Sequence, residues 1–167
     1  MLFLAYTENP GAVVERRALS VDTELREVAE YLGAMASEGQ VVLDAGAPAE
    51  LHLNADRTLL RRALVNVVTN ALRHTPPGGR VSLRGWQDGA AVVIEVRDTG
   101  EGIPAELLPR VFDRHFRAPA TRSASPEGSG LGLAIVRGIM QLHGSAVAIA
   151  SAVGEGTRVT LSFPTAG

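Results

Sequence analysis

Two glycine-punctuated stretches and one helical stripe hold the residue types that could do chemistry in this chain. The first stretch is Asp98-Thr99-Gly100-Glu101-Gly102-Ile103-Pro104. It follows Ala91-Val92-Val93-Ile94-Glu95-Val96, a β-branched run that reads as a strand, and Asp98 shares the parity of Val92, Ile94 and Val96. The pattern puts a carboxylate on the buried face, which is costly unless something donates hydrogen bonds to it. A ligand amino group, such as the exocyclic amine of adenine, would do so. Gly100 and Gly102 would let the backbone approach a flat ring. The second stretch, Gly128-Ser129-Gly130-Leu131-Gly132-Leu133, opens a helical pattern. Free N–H groups at a helix start suit phosphate. The stripe is Asn66, Asn70 and His74, at i, i+4 and i+8 of a predicted helix. Its amide oxygens are neutral hard ligands, suited to a magnesium ion already holding phosphate oxygens, and the neighbouring Arg73 could reach a phosphate. Taken alone, the asparagines fit an ordinary wet helix face. Taken with Asp98 and both glycine motifs, they complete a nucleotide site.

The surrounding elements must hold these groups in place. Asp22 predicts an N-cap, with Leu25, Val28, Ala29, Leu32, Met35 and Ala36 at helical spacing after it. Val41–Leu43 and Leu51–Leu53 are short strand candidates. Asp56 predicts the cap of the next helix, whose apolar face is Leu59, Leu60, Ala63, Leu64, Val67, Val68 and Ala71, and Thr75-Pro76-Pro77-Gly78-Gly79 ends it. Strands over Arg80–Trp86 and Ala91–Asp98 form a hairpin across Asp88-Gly89. Residues 104–128 hold four prolines and little regular pattern, the mark of a functional or disordered stretch. A helix over Gly130–His143 ends at a C-cap glycine, Gly144, and Ala146–Ser151 with Thr157–Phe163 form a last strand pair. The predicted layout is helices on one face of a sheet, a two-layer α/β sandwich.

Composition narrows the classes. At 167 residues the chain suits one cored domain. A net charge of −2 gives no basic field for nucleic acid. The absence of cysteine excludes disulfides, thiolate metal sites and cysteine nucleophiles. Aromatics at 4% provide no stacking platform for single strands. Met1–Tyr6 is apolar but too short to cross a bilayer and has no basic leader, so a soluble, intracellular chain is expected. Met1–Tyr6 also reads as the cut end of a longer helix, and Asn9-Pro10-Gly11 as a linker.

These motifs, in this order, resemble the catalytic ATP-binding domain of sensor histidine kinases, within the gyrase/Hsp90/histidine-kinase/MutL ATPase superfamily. Asn66–Thr75 resembles the N box, Asp98–Pro104 the G1 box, Phe112–Arg117 the F box, Gly128–Leu133 the G2 box and Gly154–Thr157 the last glycine turn. The resemblance runs from about Leu19 to Pro164. The wording of the start, with Leu60–Leu64, is most similar to heavy-metal (copper or silver type) sensor kinases.

The resemblance implies a Bergerat fold: an α+β domain with a mixed, mostly antiparallel sheet of about five strands, covered on one face by three helices. Residues 1–17 would be a remnant of the dimerisation helix and linker, and 18–167 the catalytic domain with a lid at about 104–127. It implies ATP and Mg2+ as cofactors. Asp98 would take the adenine amine, with Thr157 helping through water, and Gly100, Gly102 and Ile103 would line the base. Asn70, helped by Asn66, would hold magnesium. Arg73 and His74 would lie near the phosphates, with Gly128, Ser129, Gly130, Leu131, Gly132 and Leu133 cradling them. Arg117 and Arg122 are candidates for the γ-phosphate, and Phe112 and Phe116 would anchor the lid or simply pack. The family often has tyrosine where His74 stands, which leaves phosphate bonding and packing both open for it.

The implied partners are a dimerisation and phosphoacceptor domain and a cognate response regulator, within a membrane-anchored homodimer whose catalytic part is cytoplasmic, at a bacterial inner membrane. His52, His74, His115 and His143 lack the His-Glu or His-Asp setting of a phosphoacceptor. Asn66 stands where hydrolytic relatives place a glutamate, and an amide cannot act as a carboxylate base. An imidazole acceptor needs no strong base, so transfer to a partner histidine with weak hydrolysis is expected. The alternatives are a hydrolytic ATPase, a serine kinase of the anti-sigma type, and a non-enzymatic nucleotide-gated interaction module.

Overall fold

A computed structural model describes residues 13–113 and 132–165. Arg17–Ser20 forms β1, Val21–Tyr31 helix α1, Gly33–Glu38 α2, Val42–Gly46 β2, His52–Ala55 β3 and Arg57–His74 α3. Arg80–Asp88 (β4) and Ala91–Asp98 (β5) follow, then a 3-10 turn at Ala105–Arg110. Gly132–Leu142 (α4), Ala146–Ala152 (β6) and Gly156–Pro164 (β7) complete it. Among the described residues the main sheet has five strands, the number the resemblance implies, in the order β2-β4-β5-β7-β6. Only β2 against β4 is parallel; the other pairs are antiparallel. β1, which the sequence reading missed, pairs with β3 in a separate two-stranded ribbon.

Alternation decides which sheet face is covered. Val81 and Leu83, Ile94 and Val96, and Leu161 and Phe163 point to one side and are buried. They meet Leu60, Leu64, Val67 and Val68 of α3 and Val136, Ile139 and Met140 of α4. Each such fully buried side chain contributes roughly 1.5–3 kcal/mol. Among the described residues the opposite face carries no helix.

Local chemistry sets the helix limits. Asp56 caps α3 as predicted, its Oδ1 accepting from Leu59 N at 3.1 Å. The predicted cap at Asp22 is corrected: Ser20 caps α1, accepting from Thr23 N at 3.3 Å. Val21 is fully buried, and its burial starts the helix before the acid. Asp22 Oδ1 instead accepts from Ala47 N and pairs with Arg26. The single helix predicted over residues 22–36 breaks at Leu32, whose ψ of 7° leaves the helical region before Gly33. Gly144 ends α4 with φ +63°, where a left-handed cap favours glycine.

Helix α3 is fixed near its start from two sides. Glu24 of α1, 4% exposed, takes Arg57 and Arg61, and Glu27 takes the same two arginines. On the other side, His143 is buried at the end of α4. Its Nδ1–H donates to Ile139 O at 2.8 Å, so its Nε2 is free to accept from Asp56 N at 3.0 Å. Phe163 meets the ring edge-on at 6.1 Å. Burial pushes the imidazole below its usual range, against a smaller opposing pull from the Ile139 carbonyl. The unfolded chain takes up a proton near pH 6.5 that the folded protein resists, so this contribution is complete above that pH and declines below it. Replacing His143 by Leu strands the Asp56 N–H and should cost about 2 kcal/mol in urea unfolding at pH 7.5. The variant should also lose part of the parent's decline in stability between pH 6.5 and 5.

Candidate nucleotide-binding site

The site is built where β5 ends. Asp98 follows the buried parity of Val96 and is 7% exposed, as its position predicted. Its Oδ1 accepts from Gly100 N at 2.8 Å and Thr157 N at 3.2 Å. Burial pushes the carboxyl above its usual range; the two N–H groups and the His74 charge pull it back only in part. Both protein hydrogen bonds end on one oxygen of a buried acid that still favours a donor. A ligand amine supplies such a donor.

Close backbone approaches shape the wall beside it. Gly102 has φ +79°, and a Cβ there would run into the carbonyl of Ala152. Gly156 has φ +94°, and a Cβ would strike the carbonyl of Asp98. The loop after β5 and the turn between β6 and β7 therefore lie against each other with room for glycine only. Gly154 N donates to Glu101 O at 2.9 Å across the same seam.

Ser151 completes the seam, and the sequence reading missed it. Its Oγ accepts from Ile103 N at 2.8 Å, donates to Gly156 O at 2.9 Å and lies 2.7 Å from Thr157 Oγ1. The signal was present: Ser151 shares the parity of Val147 and Ile149, a polar residue on an otherwise apolar face. Ser151→Ala should weaken nucleotide binding roughly fivefold in calorimetry, the loss of about 1 kcal/mol from one loop hydrogen bond. Thr157 also donates its backbone N–H directly to Asp98.

The second half of the site comes from α3. Asn66 and Asn70 are both half-buried, on the stripe that the sequence predicted. Asn66 Nδ2 is buried with no hydrogen-bond partner among the described residues. Such an orphaned amide end is costly inside a protein, and a phosphate oxygen would satisfy it. With the amide turned over, its oxygen would face the same space and suit a hard cation. The donor set thus fits a metal–phosphate group. Arg73 and His74 are half-buried in the last turn. His74 Nδ1 lies 3.7 Å from Glu101 Oε1, joining the helix end to the loop, and Gly100 sits against the His74 carbonyl with no space for a side chain. Glu101 was also missed in the sequence, where it was given no role.

Asp98, Gly100, Gly102, Ile103, His74 and Thr157 are therefore brought together. Phe112 is half-buried beyond the 3-10 turn, and Gly132 and Leu133 open α4. Phe116, Arg117, Arg122, Gly128, Ser129, Gly130 and Leu131 lie outside the described residues. Among the described residues no helix is long and apolar enough to cross a membrane.

Comparison with known proteins agrees with this geometry. Residues 55–167 match the model for histidine kinase-, DNA gyrase B- and HSP90-like ATPases. The chain is 38% identical to the sensor protein CzcS of Cupriavidus metallidurans over 98% of its own length and 34% of that protein. It is 38% identical to the sensor histidine kinase CusS of Escherichia coli O157:H7 over its whole length and again 34% of that protein. The chain thus spans about a third of these curated relatives. Among solved structures, full-length ShkA in complex with AMPPNP superposes with a TM-score of 0.84 at 28% identity, over 99% of this chain and 35% of that one. The catalytic domain of the histidine kinase ThkA superposes at 0.79 and 24% identity, over 90% of this chain and 96% of that one, a likeness of fold. The sheet covered on one face, the buried acid at its edge and the amide-bearing helix are accounted for together: the chain belongs to the histidine kinase-, DNA gyrase B- and HSP90-like ATPase family.

Proposed function

We propose that this chain is the catalytic ATP-binding part of a sensor histidine kinase, delivering the γ-phosphoryl group of ATP to a histidine on a separate dimerisation domain. The observation that carries the reading is Asp98: a buried carboxylate, raised by burial, whose donors among the described residues both meet one oxygen. The adenine amine is the donor it would accept. Ile103, held by Ser151, would cover the ring.

Magnesium would supply charge neutralisation of the phosphates, held by Asn70 with Asn66. Arg73 would add positive charge nearby, and Arg117 and Arg122 are assigned to the γ-phosphate. Position 66 is an amide, so the site has no carboxylate there to take a proton from water. The acceptor imidazole brings its own lone pair; its nitrogen bonds to the γ-phosphorus as the bond to the bridging oxygen breaks, and ADP leaves. Positioning and electrostatics then carry the rate.

The proposed setting is a membrane-anchored homodimer with its catalytic part in the cytoplasm and a response regulator downstream. The similarity to CzcS and CusS supports metal-ion signalling. Mixing the chain with a purified phosphoacceptor domain and labelled ATP should give an acid-labile phosphoprotein, with little free phosphate released by the chain alone. Steady phosphate release without the acceptor would favour a hydrolytic ATPase instead.

A further inference from the structure

The face of the main sheet turned away from the helices has a charge pattern that neither the nucleotide site nor the core accounts for. On that face stand Arg80, Arg84 and Trp86 of β4, Glu95 and Arg97 of β5, and Arg158 of β7, with Asp44 of β2 at one side. Asp44 takes Arg80 at 2.5 Å and Arg84 at 2.6 Å, the latter without hydrogen-bond alignment. Arg158 reaches Glu95 only at 3.9 Å.

Arg97 has no carboxylate partner among the described residues, and it sits directly opposite Arg158 across the β5–β7 ladder. Like charges placed directly opposite destabilise a sheet. The other neighbour of Arg97, on β4, is Ser82, which offers no charge. This face thus carries four arginines against two carboxylates, in a chain whose net charge is −2. All sixteen basic residues of the chain are arginine, the side chain whose flat fork matches a carboxylate through two hydrogen bonds. Trp86, 37% exposed, stands on the same face beyond Arg84. Tryptophan and arginine are the residues that most often anchor protein interfaces.

We propose that this open sheet face is a docking surface for a protein partner presenting a carboxylate-rich segment, with Arg97 and Arg158 gripping the acids and Trp86 packing at the rim. The carboxylates take the place of the missing counter-charge between the two arginines. The surface lies on the opposite side of the sheet from the nucleotide site and does not depend on that assignment. Trp86 is the only tryptophan in the chain and so reports on this face alone.

The test titrates the 167-residue chain with poly-L-glutamate, following Trp86 emission and backbone amide shifts in low and high salt. The expected result is a saturable change in Trp86 emission with shifts grouped on β4, β5 and β7, suppressed by salt. Arg97→Gln with Arg158→Gln should weaken binding roughly fivefold or more, as for removal of two exposed charge partners. The same double variant should melt at or above the parent temperature and bind ADP as the parent does, so a folding defect or a failure of the nucleotide reading would be distinguishable. No response to the peptide, shifts centred elsewhere, or an unchanged affinity in the double variant would overturn the proposal. A stronger response to duplex DNA or to anionic phospholipid vesicles than to the peptide would overturn the choice of partner.

Discussion

Asp98→Asn should abolish measurable ADP binding in calorimetry, a loss of at least about a hundredfold, while leaving the unliganded protein as stable as the parent or more so. The two halves of this expectation come from one side chain. An asparagine can keep its oxygen on the N–H groups of Gly100 and Thr157, which bond the present Oδ1 at 2.8 and 3.2 Å. Its other end then becomes an N–H2 group facing the ligand amine, donor against donor, in a buried place. Losing a charge-assisted hydrogen bond and leaving a buried donor unpaired together cost about 3 kcal/mol or more.

Stability moves the other way because burial raises the Asp98 carboxyl above its ordinary 3.8. Between that value and the raised one, the folded protein holds a proton that the unfolded chain has released. The stabilising contribution is therefore full at low pH and is lost as pH rises through the raised value. At pH 7 the parent bears that loss and the amide variant does not. A variant that melts several degrees lower would show instead that Asp98 is a structural acid. Undiminished ADP affinity would remove the basis of the functional reading.

Asn70→Ala should reduce phosphoryl transfer to a separate acceptor domain by two or more orders of magnitude, in line with the loss of charge stabilisation at a transferring group. Adenosine, which lacks phosphates, should bind the variant as it binds the parent, because Asp98 and the glycine seam are untouched. The Mg2+ dependence of ADP affinity should shrink at the same time. Exposed or half-buried helix positions tolerate Ala well, so the variant should fold. If transfer persisted near the parent rate, the cation would have to be held elsewhere.

Much of this site is legible in the sequence. Strand parity alone placed Asp98 inward, since a period of two leaves no choice once Val92, Ile94 and Val96 face the core. Helical spacing put Asn66 and Asn70 on one stripe. What stayed hidden depends on contacts between distant segments. Ser151 meets Ile103 forty-eight positions away in the chain, and no local pattern marks such a meeting. His143 takes its role from Asp56, eighty-seven positions away, whose N–H donates to it. The cap moved from Asp22 to Ser20 because the burial of Val21 outweighs the propensity of an acid, a case of packing overriding local preference. β1 was missed because Arg17-Ala18-Leu19-Ser20 has too little apolar alternation; its pairing with β3 decides it.

The fastening of α3 near its start has a mechanical outcome. Glu24 and Glu27 grip Arg57 and Arg61 on one flank, and His143 holds Asp56 on the other. The helix is thus a fixed jaw, with its amides set along a bar clamped at the far end. Binding and release of a nucleotide should then proceed without any tilt of the helix itself.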